Sequence, residues 1–365
     1  MVLTKEIAYK EIRSFFSNNP APLIVFGSGL SCSVDIGFGM NRLKDELLVE
    51  IPKKISGDKS LESEWEKVLN DLTSGKDLES SMNNINNDSL IGYIVKITGN
   101  LVASLDKYYA QRLLNKDICW SALDFFKCMV NGLPEGDRAL HVVTPNYDIL
   151  AEYAFESIGL LYVNGFIGNF VRHLDWERCN KLILYSEKVY RGTRLKKVNK
   201  NYKHIKLYKV HGSLNTFLIN NEVIENNSWI WFPPNEIERV IITPGILKFE
   251  RITAFREELL RQFDEAVKKK DSFVFLGYGF NDRHLENYII PKLNEQKCHG
   301  LIITRDNNDR IESLCSQADN LWLICKQEHN EFTRIKNKQY KDWFLLPDLK
   351  LWDLQQFTKE IIIGG

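Results

Sequence analysis

Leu23-Ile24-Val25-Phe26 is an unbroken apolar run closed by Gly27-Ser28-Gly29. Side chains along a strand point alternately to opposite faces of its sheet, so a run without polar alternation has to be covered on both faces, as in a parallel sheet between helices. The same grammar returns three times. Leu140 to Thr144 runs into Pro145-Asn146-Tyr147-Asp148, Ser272 to Leu276 into Gly277-Tyr278-Gly279, and Leu301 to Thr304 into Arg305-Asp306-Asn307. Helix-like sequence follows these turns. Buried strands ending in small or polar residues and alternating with helices predict an α/β fold, a doubly wound, mostly parallel, Rossmann-like sheet, with ligands at the C-terminal ends of the strands.

Around this frame the remaining segments take their places. Ile7, Ile12, Phe15 and Phe16 fall at helical spacing within Thr4 to Phe16, and Asn18-Asn19-Pro20 stops that helix. Residues 43–133 are helical in pattern, with a polar interruption at Ser80 to Asp88, and read as a helical insertion. Residues 165–240 read as a small second lobe that includes a basic segment: Glu187 to Lys209 holds nine cations and one acid. A strand is expected over Lys206-Leu-Tyr-Lys-Val-His-Gly and a further β element over Val223 to Phe232, where Trp229 and Trp231 alternate. With no internal repeat and no Gly/Ser linker, residues 1–365 read as one domain carrying these additions.

Composition removes several classes. Forty-eight Lys and Arg balance 48 Asp and Glu, and 44% of residues are hydrophobic, so the chain has neither the high net charge nor the apolar poverty of a disordered protein. No stretch approaches the ~18 consecutive apolar residues of a membrane-spanning helix, and the start MVLTKEIAYKEIRSFF has charges where a signal peptide is apolar. A cytoplasmic protein with no membrane partner is expected. The seven cysteines contain no Cys-x-x-Cys pair, which excludes a zinc ribbon on spacing; reduced thiols and no metal are expected.

Four turns carry groups that chemistry could use. Gly27, Ser28, Gly29 and Ser31 follow a strand directly, where glycines allow a phosphate to approach the backbone. Thr144-Pro145-Asn146-Tyr147-Asp148 sets an amide and a carboxylate two residues apart at a strand end. His211 stands beside Gly212, which leaves room before the ring, and imidazole is suited to general base work near neutral pH. Gly277, Tyr278, Phe280, Asn281 and Asp282 can hold a ribose and wall a base. Each is also an ordinary turn when taken alone; their order along the chain makes them jointly stronger.

In that order the sequence resembles the sirtuin-like (silent information regulator two) domain family over about Pro22 to Arg305. G-S-G-L-S is similar to its Gly-Ala-Gly-x-Ser signature, T-P-N-Y-D to Thr-x-Asn-x-Asp, V-H-G-S to its His-Gly signature, and G-Y-G-F-N-D to its late glycine motif. Ile241 to Lys248 (IITPGILK) looks like a segment of the bacterial branch. Two features of deacetylating sirtuins are missing: the four-cysteine zinc ribbon, and the Gly-Ile-Pro-Asp-Phe-Arg continuation, replaced by Asp35-Ile-Gly-Phe-Gly-Met-Asn. The zinc-free bacterial branch looks like the NAD-degrading effectors of antiphage defence, and the resemblance implies that activity.

Carried onto this chain, the resemblance implies NAD as substrate, its diphosphate at Gly27 to Ser31, its adenosine part near Gly277 to Asp282, and its nicotinamide ribose facing Asn146 and His211. His211 is then the general base, Asn146 positions the water, Asp148 organises the pocket, and Thr144 stands among the NAD-binding residues. Gating by a homo-oligomer or by a partner, a HerA-type ATPase or an Argonaute-like protein, is implied in the same way, with 43–133 as assembly surface. Three other readings stand beside this one. The pocket could only sense NAD or ADP-ribose, the chain could be a deacylase, or the basic segment could follow a phosphate backbone. Net charge zero and few interleaved aromatics weigh against the last, so direct nucleic-acid binding is not expected, and a solvated hairpin or an interface with an acidic partner is.

Overall fold

The structure is a computed structural model that describes residues 2–364 except Asn84, 192–193, 242–249, Gln296 and Lys341. Its strands, in chain order, are β1 (Leu23–Phe26), β2 (Ala139–Thr144), β3 (Tyr162–Val163), β4 (Phe166–Ile167), β5 (Val171–Leu174), β6 (Leu184–Arg191), β7 (Arg194–Asn201), β8 (His204–Lys209), β9 (Gly212–Ile219), β10 (Glu222–Asn226), β11 (Glu238–Ile241), β12 (Ser272–Leu276), β13 (His299–Thr304), β14 (Leu321–Lys326), β15 (Thr333–Asn337) and β16 (Phe344–Leu346). Nine form the central sheet, in the order β16-β15-β14-β13-β12-β1-β2-β8-β3. All neighbours are parallel from β14 to β3, and only the β14-β15-β16 edge is antiparallel. This is the expected doubly wound, mostly parallel sheet.

The unbroken apolar runs are explained by two cores, one on each face of the sheet. Ile24 and Phe26 of β1 and Val274 and Leu276 of β12 face the first, while Leu23, Val25, Phe273 and Phe275 face the second. Helix residues Ile12, Phe125, Phe126 and Phe155 fill the first core, and Phe263, Leu285, Ile289 and Ile311 the second. Each strand residue is buried whichever way it points, so no polar alternation can survive.

Within 43–133 the packing is of two kinds. Leu47, Ile51, Trp65, Ile91 and Ile94, from the helices Met40–Ile55, Lys59–Thr73 and the first half of Asp88–Leu114, form a core of their own. Further along the long helix, Ala103, Ala110 and Leu113 lean on the sheet core instead. Asp58 and Asn87 cap the second and third of these helices by accepting from two backbone N–H groups each.

Between β3 and β12 lie a five-stranded sheet, β11-β9-β10-β5-β4, antiparallel throughout, and a separate two-stranded ribbon, β6-β7. The β element expected over Val223 to Phe232 is shorter than its pattern. β10 ends at Asn226, whose side chain accepts from the Ser228 N–H and turns the chain into one 3₁₀ turn at Asn227–Trp229. An Asn side chain that bonds its own backbone two residues on competes with the ladder, so the alternation of Trp229 and Trp231 is not that of a strand. Among the described residues no helix is long and apolar enough to cross a membrane.

Candidate functional site

β12, β1, β2 and β8 are adjacent and parallel, so the turns that follow them leave the sheet at one edge. The chain runs from β1 outward through β2 and β8, then returns to β12 on the other side of β1. The order therefore reverses between β1 and β12, the position where open α/β sheets form their ligand crevice. All four sequence motifs stand at this edge.

The first and last motifs touch through their backbones. The Gly27 N–H donates to the Leu276 carbonyl at 3.0 Å, the Gly29 N–H to the Gly277 carbonyl at 3.0 Å, and the Gly277 N–H to that of Ile303 at 2.8 Å. A methyl group on Gly29 would stand 2.7 Å from Gly277 Cα, one on Gly277 would stand 2.8 Å from Gly29 Cα, and Gly277 has φ +53°. Only glycine permits that approach, and glycine adopts that backbone conformation without strain. The glycines read from the sequence as room for a phosphate thus join two loops across the switch point.

From the β2 turn a buried chain of hydrogen bonds reaches the first loop. Thr144 Oγ1 accepts from the Asn146 N–H at 3.1 Å; Asn146 Nδ2 donates to the Gly27 carbonyl at 3.1 Å and to Ser31 Oγ at 2.9 Å; the Ser31 hydroxyl donates to Asp148 Oδ2 at 2.7 Å. Asp148 Oδ1 in turn accepts from the Leu150 N–H at 3.3 Å. Burial pushes the Asp148 carboxyl above the usual carboxylate range, against the pull of the Lys209 ammonium and the Ser31 hydroxyl. Lys209, itself buried, donates to the Asp148 carbonyl oxygen and to Glu152 Oε1, the latter at 2.8 Å.

A second carboxylate fixes the same turn from behind. Asp106 Oδ2 accepts from the Ile149 N–H, and its Oδ1 from the Tyr153 hydroxyl and the Trp231 indole, each at 2.9 Å. Complete burial pushes its pKa up to about 6, although these three hydrogen bonds draw it down.

His211, just past β8, has its Nε2 3.0 Å from Asp282 Oδ2, on the turn that follows β12, and the imidazole is 14% exposed. Asp282 Oδ1 also accepts from the Leu285 N–H at 3.4 Å, at the start of the helix Arg283–Leu293. Gly212 is needed for a reason other than room before the ring: its φ is +78°, and a methyl there would collide with the Val240 carbonyl oxygen of β11. Tyr278 and Phe280 turn into the second core, their rings 4.9 Å apart, and Phe280 holds φ +56°. A bulky residue at positive φ is uncommon and held only by firm surroundings. Ser28 is half-buried and Asn281 exposed.

The structure therefore gathers Gly27, Gly29, Ser31, Thr144, Asn146, Asp148 and Gly277 into one network, and pairs His211 with Asp282 above the same strands. It sets Tyr278 and Phe280 below the surface, as supports of their loop. Lys209, Asp106, Glu152 and Trp231 enter as supports that the sequence reading did not place at the site. Lys209 was one of nine cations in a basic segment, and its only distinguishing mark is a place at the end of a buried strand. Lys206 likewise belongs to the central sheet, its Nζ 5.9 Å above the Trp176 ring. The IITPGILK segment lies outside the described residues from Ile242 onward. Among the described residues no group of three or more His, Cys, Asp or Glu side chains is placed to hold a metal ion.

Residues 140–324, just over half of the chain, match the family model of the SIR2-like domain. A solved structure described as "Structural Basis for the Mechanism and Regulation of Sir2 Enzymes" aligns over 86% of this chain and 90% of that chain, with 11% identity and a TM-score of 0.38. No curated protein matches. The family match runs from β2 through β14 and so takes in the Asn146, His211 and Gly277 motifs: the chain belongs to the SIR2-like domain family.

Proposed function

We propose that this protein is an NAD glycohydrolase, cleaving NAD to nicotinamide and ADP-ribose. The observation that carries the reading is the meeting of His211 with Asp282 at the sheet edge where the Asn146 and Asp148 turn is bonded to Ser31 of the first loop, at the switch point of a SIR2-like domain. SIR2-like proteins use NAD, and cleavage asks little acid help of an enzyme, because nicotinamide leaves a positively charged ring as a neutral molecule.

In this mechanism the bond from the ribose C1′ to the nicotinamide nitrogen breaks, the ribose gains oxocarbenium character, and water attacks C1′. Its proton passes to His211, whose ring the Asp282 carboxylate orients. Asn146 gives its amide nitrogen to Ser31 and Gly27, and its Oδ1 end is the acceptor assigned to the water. Asp148, tied to Ser31, organises the pocket. The absence of a zinc-ribbon cysteine spacing from the sequence supports hydrolysis over deacylation. A role in antiphage defence by NAD depletion, homo-oligomerisation, cytoplasmic location and gating by a HerA-type or Argonaute-like partner belong to the same proposal and rest on the resemblance alone.

Nicotinamide release from NAD by the purified chain, measured over a wide range of protein concentration beside His211→Ala, tests it. Release should fall at least about 100-fold in the variant, the size expected for loss of a general base. Stoichiometric NAD binding with no release at any concentration would replace the enzyme by an NAD-sensing subunit, and turnover on an acyl-lysine peptide in preference to water would replace it by a deacylase.

A further inference from the structure

The ribbon β6-β7 belongs to neither sheet. Its base is held: Arg138 Nη1 donates to the Asn201 carbonyl and to the Tyr185 hydroxyl, both at 3.1 Å, Tyr185 stacks on Tyr202 at 4.6 Å, and Lys200 pairs with Glu187. Beyond Glu187 the ribbon carries no acid. Lys188 stands opposite Lys197 in the register. Like charges directly across an antiparallel pair repel, so the ribbon maintains an unfavourable arrangement. Among the described residues no carboxylate comes within 4 Å of Lys188, Arg194, Lys196 or Lys197, and all four are exposed.

Strand alternation puts these cations on both faces. Lys188 and Lys197 share one with Tyr190 and Leu195, which are 76% and 50% exposed, while Arg194 and Lys196 occupy the other together with Val189 and Val198. A flat acidic surface would meet only one face. A groove with phosphates along both rims meets both, and the major groove of a duplex, about 12 Å wide, admits a two-stranded ribbon. Eight residues per strand give the arm a length of about 26 Å. Residues 184–201 hold six cations and one acid, leaving 42 cations against 47 acids spread over the remainder.

We infer that the ribbon β6-β7 is a duplex-binding arm that enters a nucleic-acid groove and contacts phosphates on both sides through Lys188, Arg194, Lys196 and Lys197. This is independent of NAD chemistry, and nicotinamide release without DNA is unchanged when the arm is altered.

The test is fluorescence anisotropy of a labelled 20-base-pair DNA duplex with the full chain at 50 and 200 mM salt, beside a variant with Gln at 188, 194, 196 and 197. Four neutralised phosphates predict an affinity falling about 100-fold between the two salt concentrations, and a slope of log affinity against log salt that is shallower by about 3.6 in the variant. The variant should melt no lower than the natural chain, since it removes the Lys188–Lys197 repulsion, and Lys→Arg at 188, 196 and 197 should keep the binding. Absence of duplex binding at 50 mM salt, equal binding by the Gln variant, or loss of binding in the Arg variant overturns the inference. Polyglutamate of equal charge binding as tightly as the duplex would identify an acidic protein as the partner and overturn it too.

Discussion

His211 and Asp282 come within 3.0 Å of each other although the strands they follow, β8 and β12, are separated by two others. At about 4.8 Å per strand the sheet alone would hold them roughly 14 Å apart. Their two turns therefore lean toward each other over the ends of β1 and β2, and the pairing spans the crevice at the switch point.

If the carboxylate orients the imidazole for catalysis, Asp282→Asn should lower the rate constant for nicotinamide release about 10-fold to 100-fold with little change in KM. Asn caps a helix nearly as well as Asp, so the start of Arg283–Leu293 survives. Steady-state kinetics on the purified variant decide it: a raised KM at unchanged kcat would mean that Asp282 only binds substrate.

Asn146→Ala deletes the donor that Gly27 and Ser31 share. Leaving a buried carbonyl without its partner costs about 1–3 kcal/mol. The midpoint of urea unfolding should move down accordingly, and nicotinamide release should fall further than in Ser31→Ala, which retains Asn146.

At Gly277 two effects combine, a positive φ and contact with the Gly29 backbone, whereas Gly57 has φ +91° with nothing within 4 Å of an added methyl group. Gly57→Ala should cost about 1 kcal/mol for its conformation alone. Gly277→Ala should cost more than about 2 kcal/mol, because the two loops must also separate. Comparable losses in paired urea melts would show that the loop contact is loose.

Asp106 sets a pH dependence whose sign follows from burial. Its folded pKa of about 6 stands above the ordinary 3.8, so between those values the folded chain keeps a proton that the unfolded chain has released. The stabilising contribution is full below about pH 4 and is lost as pH rises through about 6. Relative to Asp106→Asn, the natural chain should lose about 2 kcal/mol of stability between pH 4 and 7, read from urea melts of both proteins across that range. A constant difference would mean that the carboxylate keeps its ordinary pKa in the fold.

The sheet was legible in the sequence because burial on two faces writes itself into consecutive residues: Leu23 to Phe26 and Ser272 to Leu276 have no alternative reading once each is closed by glycine. The polar interruption at Ser80 to Asp88 was legible for a local reason, since it holds Asn87, which caps the helix that follows. Trp229 and Trp231 misled because their alternation is also compatible with a turn set by Asn226.

Residue types, their order and the strand grammar determined that four polar turns would gather at one edge of a parallel sheet, since parallel strands must all end on the same side. Which atoms meet there was decided by tertiary structure. That Asn146 reaches Ser31 across 115 residues, that His211 faces Asp282, that Gly29 abuts Gly277, and that Lys209 is buried while Lys188 and Lys197 oppose each other in solvent depend on strand order, register and loop approach. A strand's apolar run records only that it is covered, and carries no information about which neighbour covers it.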